Sequence, residues 1–166
     1  VNSGVPQGSI LGPLLFLISI NDITNATSYF NIRLFADDTS LTVSGHDLDL
    51  LIQKVNMEFH KILDWLSSNK LTLNLSKTKY IIFQPRQKVN YNLYPPVMLA
   101  DQVIEQTHNF KYLGVIMDSN LSWHDHIDYI SDKISKSIKL MTKIKRHLGI
   151  KPLLSIYYSL VYPYLT

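Results

Sequence analysis

Hydrophobic positions in the first half of the chain change from helical spacing to strand spacing and back again. Ser9, as an N-cap, and the dense apolar run after it predict a largely buried helix over 10–23. Alternating apolar and polar residues predict two short strands, over 29–35 and 39–43, joined by a tight hairpin tip. Apolar residues at three- and four-residue steps then predict an amphipathic helix over 47–68. These elements predict a small antiparallel sheet backed by helices.

The second half predicts short strands followed by long helices. The expected elements are a strand over 78–83, a Pro-rich loop over 84–96, a hairpin over 97–105 that turns near Ala100 and Asp101, and a strand over 109–117. Ser122 and Asp125 have the spacing of a helix N-cap and its third residue, and an apolar stripe follows as far as Leu148. Gly149 ends that helix and Pro152 begins another. The pattern as a whole predicts an α+β fold with a helical end.

Composition excludes several classes of protein. The chain has 166 residues, 46% of them hydrophobic, and no Cys, which excludes a disulfide scaffold and a Cys-ligated zinc site. No apolar run approaches the roughly 20 residues that span a bilayer. A signal peptide has basic residues before its apolar run, whereas no basic residue precedes the first apolar run here. We therefore expect an intracellular protein, nuclear or cytoplasmic, that is not secreted and has no membrane partner.

Charge is distributed unevenly along the chain. The net charge is +3, yet residues 1–50 have one basic residue and five acidic ones. Residues 121–166 have seven basic residues and three acidic ones. This gradient suits a protein that binds cations near its start and a polyanion near its end. Ordinary surface charge could produce the same gradient, so charge alone does not distinguish a binding function from a solvated surface.

Two adjacent carboxylates, Asp37 and Asp38, at the predicted hairpin tip are candidate metal ligands. Successive strand residues face opposite sides of a sheet, so only a tight turn lets both carboxylates approach one cation. Carboxylate oxygens favour Mg²⁺ or Mn²⁺. Aspartates are also common in hairpin tips for turn geometry alone. The interpretation therefore depends on the sequence around the pair.

Four ordered motifs supply that context. They are Gly4-Val5-Pro6-Gln7-Gly8-Ser9, Leu34-Phe35-Ala36-Asp37-Asp38-Thr39, Leu73-Asn74-Leu75-Ser76-Lys77-Thr78-Lys79 and Phe110-Lys111-Tyr112-Leu113-Gly114-Val115. In this order they closely resemble reverse transcriptases of non-long-terminal-repeat (LINE-type) retrotransposons, above all the invertebrate branches with a Phe-Ala-Asp-Asp hairpin. The resemblance runs through essentially the whole chain. It implies a partial right-hand polymerase, with the second half of a palm over 1–118 and the truncated start of a helical thumb over 119–166.

The resemblance also implies roles for individual residues. Asp37 would bridge two catalytic Mg²⁺ or Mn²⁺ ions, and Asp38 would be a secondary metal ligand or shape the turn. Lys77 matches a lysine near the incoming triphosphate that would protonate the leaving group. The residues implied to contact template or nucleotide are Pro6, Gln7, Gly8, Phe35 and Ala36. The residues implied to form the primer grip are Tyr112, Leu113 and Gly114.

Basic residues of the second-half helix are candidate contacts to a nucleic-acid backbone. Lys136, Lys139 and Lys143 share one face of that helix, opposite much of the apolar stripe. A polymerase thumb lying along a template–primer duplex would use such a face for phosphate contacts. A solvated helix face has the same pattern, so the two interpretations stay open here.

The implied partners are an RNA template, a DNA primer and deoxynucleoside triphosphates. In the resembled family, another metal-binding Asp and the triphosphate-binding fingers precede the Pro-Gln-Gly turn, whereas this sequence begins at Val1. We therefore expect a fragment of an RNA-directed DNA polymerase that performs two-metal nucleotidyl transfer when intact and is inactive alone. The rest of the palm, the fingers and an endonuclease domain would belong to the parent protein. The alternative is a non-catalytic retrotransposon remnant or a host-adopted nucleic-acid-binding module.

Overall fold

A computed structural model of the chain describes residues 8–84 and 94–165. Contacts between residues divide the chain into two compact units. The first unit comprises Val1–Tyr80 and Asn90–Glu105, and the second comprises Ile81–Val89 and Gln106–Thr166. Among the described residues, every helix is too short or too polar to cross a membrane. The expected division of the chain into 1–118 and 119–166 stays a prediction.

The first unit combines two helices with short antiparallel hairpins, so the expected α+β class is confirmed. Its elements are α1 (Gly12–Asn21), a 3-10 turn (Asp22–Asn25), β1 (Asn31–Phe35), β2 (Asp38–Thr42), α2 (Leu48–Ser68), β3 (Lys79–Tyr80), β4 (Met98–Leu99) and β5 (Gln102–Val103). A further strand, β6 (Glu105–Gln106), ends this part of the chain and pairs with β3. In the described ranges every sheet has two strands.

Helix α2 organises the core of the first unit. Asp47 caps it, since its carboxylate accepts a hydrogen bond from Leu50 N at 3.1 Å. The residues of α2 that are buried share one face and are Ile52, Val55, Ile62 and Leu66. They pack with buried residues of the other elements, namely Ile23, Phe30, Val97, Leu99 and Ile104. Full burial of one such side chain stabilises a fold by about 1.5–3 kcal/mol, so this face contributes substantially to the stability of the unit.

The prediction of a largely buried first helix is wrong. Helix α1 begins at Gly12, whose N–H donates to the Ser9 hydroxyl at 3.2 Å, and Ile20 is its buried residue. Its other apolar side chains are exposed, Ile18 by 63%. The run is apolar on every side, so its periodicity predicts a helix without indicating which faces are covered. The described residues place no element over most of α1.

Two predicted strands differ from the structure. The strand expected over 78–83 is reduced to the two residues of β3, and the strand expected over 109–117 is a hairpin. Leu113 and Gly114 form the turn of that hairpin with φ of 48° and 90°. Positive φ at both central positions is typical of the tight hairpin turns whose twist matches that of the flanking strands. Gly114 is the only typical turn residue between these two strands. Because Leu rarely adopts positive φ, Leu113 gave no sign of the turn in the sequence.

Other predictions hold. The hairpin expected over 97–105 is formed by β4 and β5, and Ala100 and Asp101 turn it with φ of 49° and 60°. The predicted amphipathic helix over 47–68 is α2, capped by Asp47. Most of the predicted loop over 84–96 lies outside the described residues.

The second unit consists of one hairpin and two helices. Its elements are β7 (Asn109–Tyr112), β8 (Val115–Asp118), α3 (His124–Ile144), α4 (Ile150–Leu160) and a 3-10 turn (Tyr162–Tyr164). Helix α3 contacts both β8 and α4. The half-buried residues along its contact face include Ile130, Ile134, Met141 and Ile144. The predicted apolar stripe therefore exists, although none of its described residues is fully buried.

The predicted ends of α3 need correction. Trp123, not Ser122, precedes its first turn, and Trp123 adopts a left-handed φ of 66°. The Ser122 hydroxyl is taken by another partner, since it donates to Asp118 Oδ2 at 3.1 Å. The helix ends at Ile144, before Leu148, and Gly149 becomes the N-cap residue of α4.

Candidate active site and nucleic-acid interface

The β1–β2 hairpin places Asp37 and Asp38 in different backbone positions. Phe35 pairs with Asp38, so the turn consists of Ala36 and Asp37 alone. The sequence predicted Asp38 within the tip, whereas the structure makes it the first residue of β2. Ala36 has a φ of 50°, which a small residue tolerates better than a branched one. The turn is therefore tighter than predicted.

Packing fixes the base of this hairpin and leaves its end in solvent. Ile32 and Leu34 on β1 and Leu41 on β2 pack against the core of the first unit. Phe35 lies on the opposite face of β1 and is 61% exposed, and both aspartates are exposed. The two carboxylates are thus exposed to solvent at the end of a hairpin whose strands are packed against the core.

The donor set at the hairpin end fits a hard divalent cation in part. In the described ranges, neither Asp37 nor Asp38 forms a salt bridge with Lys, Arg or His. The described residues contain no cluster of three or more His, Cys, Asp or Glu side chains that could hold a metal ion. Mg²⁺ is commonly held by one or two carboxylates together with substrate phosphates and water. Asp37 and Asp38 are thus the two candidate ligands on this hairpin.

Lys77 lies in a turn that Asn74 organises. Asn74 O accepts hydrogen bonds from Lys77 N at 3.1 Å and from the Thr78 hydroxyl at 2.9 Å, and Asn74 Oδ1 accepts one from the Ser76 hydroxyl at 2.7 Å. The side chain of Lys77 is exposed, whereas Leu75 packs against the core. The Lys77 backbone is therefore fixed and its ammonium group is in solvent. No salt bridge joins it to Asp37 or Asp38 in the described part of the chain.

The predicted template and nucleotide contacts are described only in part. Pro6 and Gln7 lie outside the described residues. Gly8 is exposed and has a φ of 87°, a conformation that strains any residue with a Cβ. Phe35 and Ala36 lie at the end of the Asp37 hairpin.

The predicted primer-grip residues occupy the end of the β7–β8 hairpin. Tyr112 pairs with Val115, so Leu113 and Gly114 form a two-residue turn. Tyr112 is half-buried, whereas Leu113 is 47% exposed. The three residues therefore lie together at one hairpin end in the second unit, and their role as a primer grip stays a prediction.

Asp118 was not singled out by the sequence, yet it organises the connection from β8 to α3. Its carboxylate accepts hydrogen bonds from Asn120 N, Ser122 N and Trp123 N at 2.9–3.1 Å and from the Ser122 hydroxyl. These bonds lower the pKa of Asp118 to about 2. Leu121 and Trp123 adopt positive φ within this loop. An Asp that opens an Asp-Ser-Asn turn is the sequence signal that could have indicated it.

Tyr129 is a second residue that the sequence did not indicate. Lys111 Nζ donates to the Tyr129 hydroxyl at 2.8 Å and lies 4.3 Å from the ring centroid. Lys133 Nζ, one helical turn onward, lies 5.6 Å from the same centroid. The hydrogen bond from Lys111, with the charges of both lysines, lowers the pKa of Tyr129. Lys111 comes from β7, so no helical periodicity could reveal this group.

Lys136, Lys139 and Lys143 are all exposed on α3, as predicted. At 100° per residue they lie opposite the half-buried face that meets α4. The same side of the helix is acidic nearer its N-terminus, where Asp125, Asp128 and Asp132 lie. The exposed side therefore changes from acidic to basic along its length.

Comparison with known proteins identifies the class. Residues 1–117 match the family described as "Reverse transcriptase (RNA-dependent DNA polymerase)", and the chain belongs to this family. It is similar to the probable RNA-directed DNA polymerase from transposon X-element of Drosophila melanogaster, with 29% identity over 98% of the chain and 18% of that protein. No solved structure matches the chain at a significant level.

Other relatives come from the same kind of element. The RNA-directed DNA polymerase from mobile element jockey of Drosophila funebris is 25% identical over 85% of the chain and 16% of its own length. A Pol polyprotein from the type-1 retrotransposable element R1 2 of Nasonia vitripennis is 27% identical over 86% of the chain and 36% of its length. The non-long-terminal-repeat resemblance is thereby confirmed. The chain spans less than a fifth of the first two relatives.

Proposed function

We propose that this chain supplies the aspartate hairpin and primer-binding elements of an RNA-directed DNA polymerase that copies retrotransposon RNA into DNA within the cell, in the nucleus or cytoplasm. The observation that carries the proposal is the exposed Asp37-Asp38 pair on a supported two-residue hairpin. Its place in a chain of the reverse transcriptase family makes metal binding a better explanation than turn geometry alone.

Asp37 and Asp38 would hold two Mg²⁺ or Mn²⁺ ions together with phosphate oxygens of the nucleotide. When bound, such ions lower the pKa of the primer 3′-hydroxyl and neutralise charge on the leaving pyrophosphate. The exposed position of both carboxylates suits this role, because substrate oxygens complete the coordination of Mg²⁺. The methyl group of Ala36 leaves room for a primer terminus beside the metals.

Lys77, Gly8 and the grip hairpin would position the substrates. Lys77, whose backbone is fixed, would protonate the leaving pyrophosphate oxygen. Gln7 and Gly8 would contact template and nucleotide, with Gly8 permitting close backbone approach. Tyr112, Leu113 and Gly114 would hold the primer strand.

Two carboxylates make an incomplete site for two cations, so we propose that the rest of the polymerase is supplied by other parts of a longer protein. Two divalent ions concentrate charge that one hairpin balances only in part. The chain on its own should therefore bind metal weakly and extend primers poorly or not at all. The alternative of a non-catalytic nucleic-acid-binding module rests on the basic residues of the second unit.

Mn²⁺ titration separates the two proposals. In NMR spectra of the chain, Mn²⁺ should broaden the amide signals of residues 36–39 first. Substitution of both aspartates, Asp37→Asn with Asp38→Asn, should abolish that selective broadening. Asp64→Asn, at an exposed acid of α2, is the matched control and should change nothing. Equal broadening in the parent and in the Asp37/Asp38 variant would leave only the binding-module alternative.

A further inference from the structure

The strongest unexplained feature of the second unit is the meeting of two ammonium groups on one aromatic ring. Lys111 of β7 and Lys133 of α3 both face Tyr129, at 4.3 and 5.6 Å from its centroid. We infer that Lys111, Tyr129 and Lys133 form a phosphate-binding site for a nucleic-acid strand. The inference deepens the proposed function, on which it rests for the identity of that strand.

The charges of Lys111 and Lys133 favour an anionic ligand. In the described residues, neither Lys111 nor Lys133 forms a salt bridge with a carboxylate. Asp125, the acid in the first turn of α3, is instead engaged by the Asn109 amide at 3.0 Å. The quadrupole of one ring compensates two positive charges only in part. A phosphate between the two ammonium groups would neutralise them.

Lys111 is also held in place before any ligand binds. Lys111 Nζ is already bound to the Tyr129 hydroxyl, so part of its rotamer entropy is lost before any ligand arrives. Strand β8, the partner of β7, is also linked to α3 nearby, where Ile116 N donates to His126 Nδ1 at 3.3 Å. The His126 ring in turn stacks on Tyr129 with centroids 6.5 Å apart. Surface lysines without such links lose more entropy on binding a phosphate.

The surroundings favour a strand over a small phosphate. Trp123, which is 43% exposed, contacts the His126 ring edge-on, so three rings follow one another along the start of α3. Lys111 also directly precedes Tyr112 of the grip hairpin. A row of aromatic rings ending in cations is the pattern of surfaces that follow a nucleic-acid backbone. Contacts of this kind fix position and carry no base sequence.

This site borders the predicted lysine face of α3. Lys133 follows Tyr129 by one turn, and Lys136 follows Tyr129 by two turns, only about 20° away around the helix axis. The second unit therefore presents one basic surface with two parts. One part is built from two elements that fix it, and the other from a single solvated helix.

Fluorescence anisotropy with a short labelled RNA–DNA hybrid tests the inference on the whole 166-residue chain. The variant Lys111→Gln with Lys133→Gln should bind about tenfold more weakly at low salt. Loss of two phosphate contacts should make the log–log salt slope shallower by about two. The variant Lys111→Arg with Lys133→Arg should retain most of the affinity. The control, Lys54→Gln with Lys70→Gln, removes the same charge from exposed sites in the first unit.

The outcomes distinguish this inference from the proposed polymerase function. Equal affinity and slope for the Lys111/Lys133 variant and the control would overturn the inference and leave the polymerase proposal intact. Failure of the parent chain to bind the hybrid would also overturn it, while Mn²⁺ broadening at residues 36–39 would still test the metal site. Far-UV circular dichroism checks that each variant is folded. We expect α3 to persist in the variant with Lys133→Gln, because Gln is a good helix former.

Discussion

The carboxylate of Asp118 accepts a hydrogen bond from Trp123 N at 3.0 Å, directly before the first turn of α3. Trp123 adopts a left-handed backbone conformation there, which costs about 1–3 kcal/mol for a bulky residue. The carboxylate offsets this cost by binding the N–H groups that the loop would otherwise leave without partners. Asp118 thus explains why α3 begins where it does.

Removing the Asp118 carboxylate should destabilise the second unit. Asp118→Ala leaves three backbone N–H groups dependent on water and should lower the melting temperature by roughly 2–8 °C, within the range for loss of a cap. The matched control is Asp64→Ala, at an exposed aspartate of α2 in the first unit. Differential scanning calorimetry provides the measurement, and equal melting temperatures for the two variants would contradict the role of Asp118.

The same carboxylate should make stability depend on acid pH. Its pKa lies near 2 in the folded chain, below the ordinary value of 3.8. The depressed pKa means that its stabilisation is complete above about pH 4 and is lost as pH falls towards 2. In Asp118→Asn the fall in melting temperature between pH 5 and pH 2 should be smaller than in the parent. An unchanged pH dependence would show that the hydrogen bonds to Asp118 contribute little.

Substitutions at Ala36 test whether the aspartate hairpin depends on a small residue at this positive φ. Ala36→Gly relieves the positive φ and should leave melting temperature and Mn²⁺ binding nearly unchanged. Ala36→Val adds a β-branched side chain at the same φ and should destabilise the hairpin and weaken Mn²⁺ broadening at Asp37. NMR chemical shifts of residues 35–39 would report both changes. Similar spectra for the two variants would mean that the turn is more adaptable than its φ indicates.

Helix α1 should behave as exposed apolar surface. Exposed contiguous apolar patches bind hydrophobic dyes and promote association. The parent chain should therefore enhance ANS fluorescence and self-associate at high concentration. Leu14→Lys with Ile18→Lys, at two exposed positions, should reduce both effects with little change in melting temperature. A large loss of stability in this variant would show that α1 is more deeply packed.

Sequence reasoning succeeded where one local pattern decides the structure. The periodicity of α2 and its Asp47 cap are contiguous in sequence, and the Asp37 hairpin follows from strand alternation around a short polar tip. It failed where burial depends on distant elements. The exposure of α1 illustrates this, because an all-apolar run has no face that marks its neighbour.

The candidate functional residues divide in the same way. Asp37, Asp38 and Lys77 lie in contiguous motifs, so the amino-acid sequence by itself indicates them. Asp118 and Tyr129 act through contacts in the folded structure. The Asp118 carboxylate accepts hydrogen bonds from the loop that follows it, and the Tyr129 hydroxyl accepts one from Lys111 of a different element. No period along the chain reveals such a meeting, because it depends on how two separate elements pack.

Lys136, Lys139 and Lys143 provide the last test, on the exposed side of α3. If they contact phosphates together with Lys111 and Lys133, four or five contacts give a log–log salt slope of about −4 for binding to an RNA–DNA hybrid. Changing the three to Glu should remove most of the binding while the helix persists, because Glu is also a good helix former.

The acidic half of the same side, at Asp125, Asp128 and Asp132, sharpens this test. If the duplex lies along the whole side, Asp128→Asn with Asp132→Asn should strengthen binding by relieving repulsion of the phosphates. If only the basic half meets the duplex, the effect should be smaller and should come from Asp132, which lies one turn from Lys136. Asp128 lies about 12 Å from Lys136 along the helix axis, and charges beyond about 10 Å are largely screened at 0.1 M salt. Anisotropy at several salt concentrations measures both variants. A Lys136/Lys139/Lys143 variant that binds as tightly as the parent would show that this face is only solvated, and that phosphate binding by the second unit depends on Lys111 and Lys133.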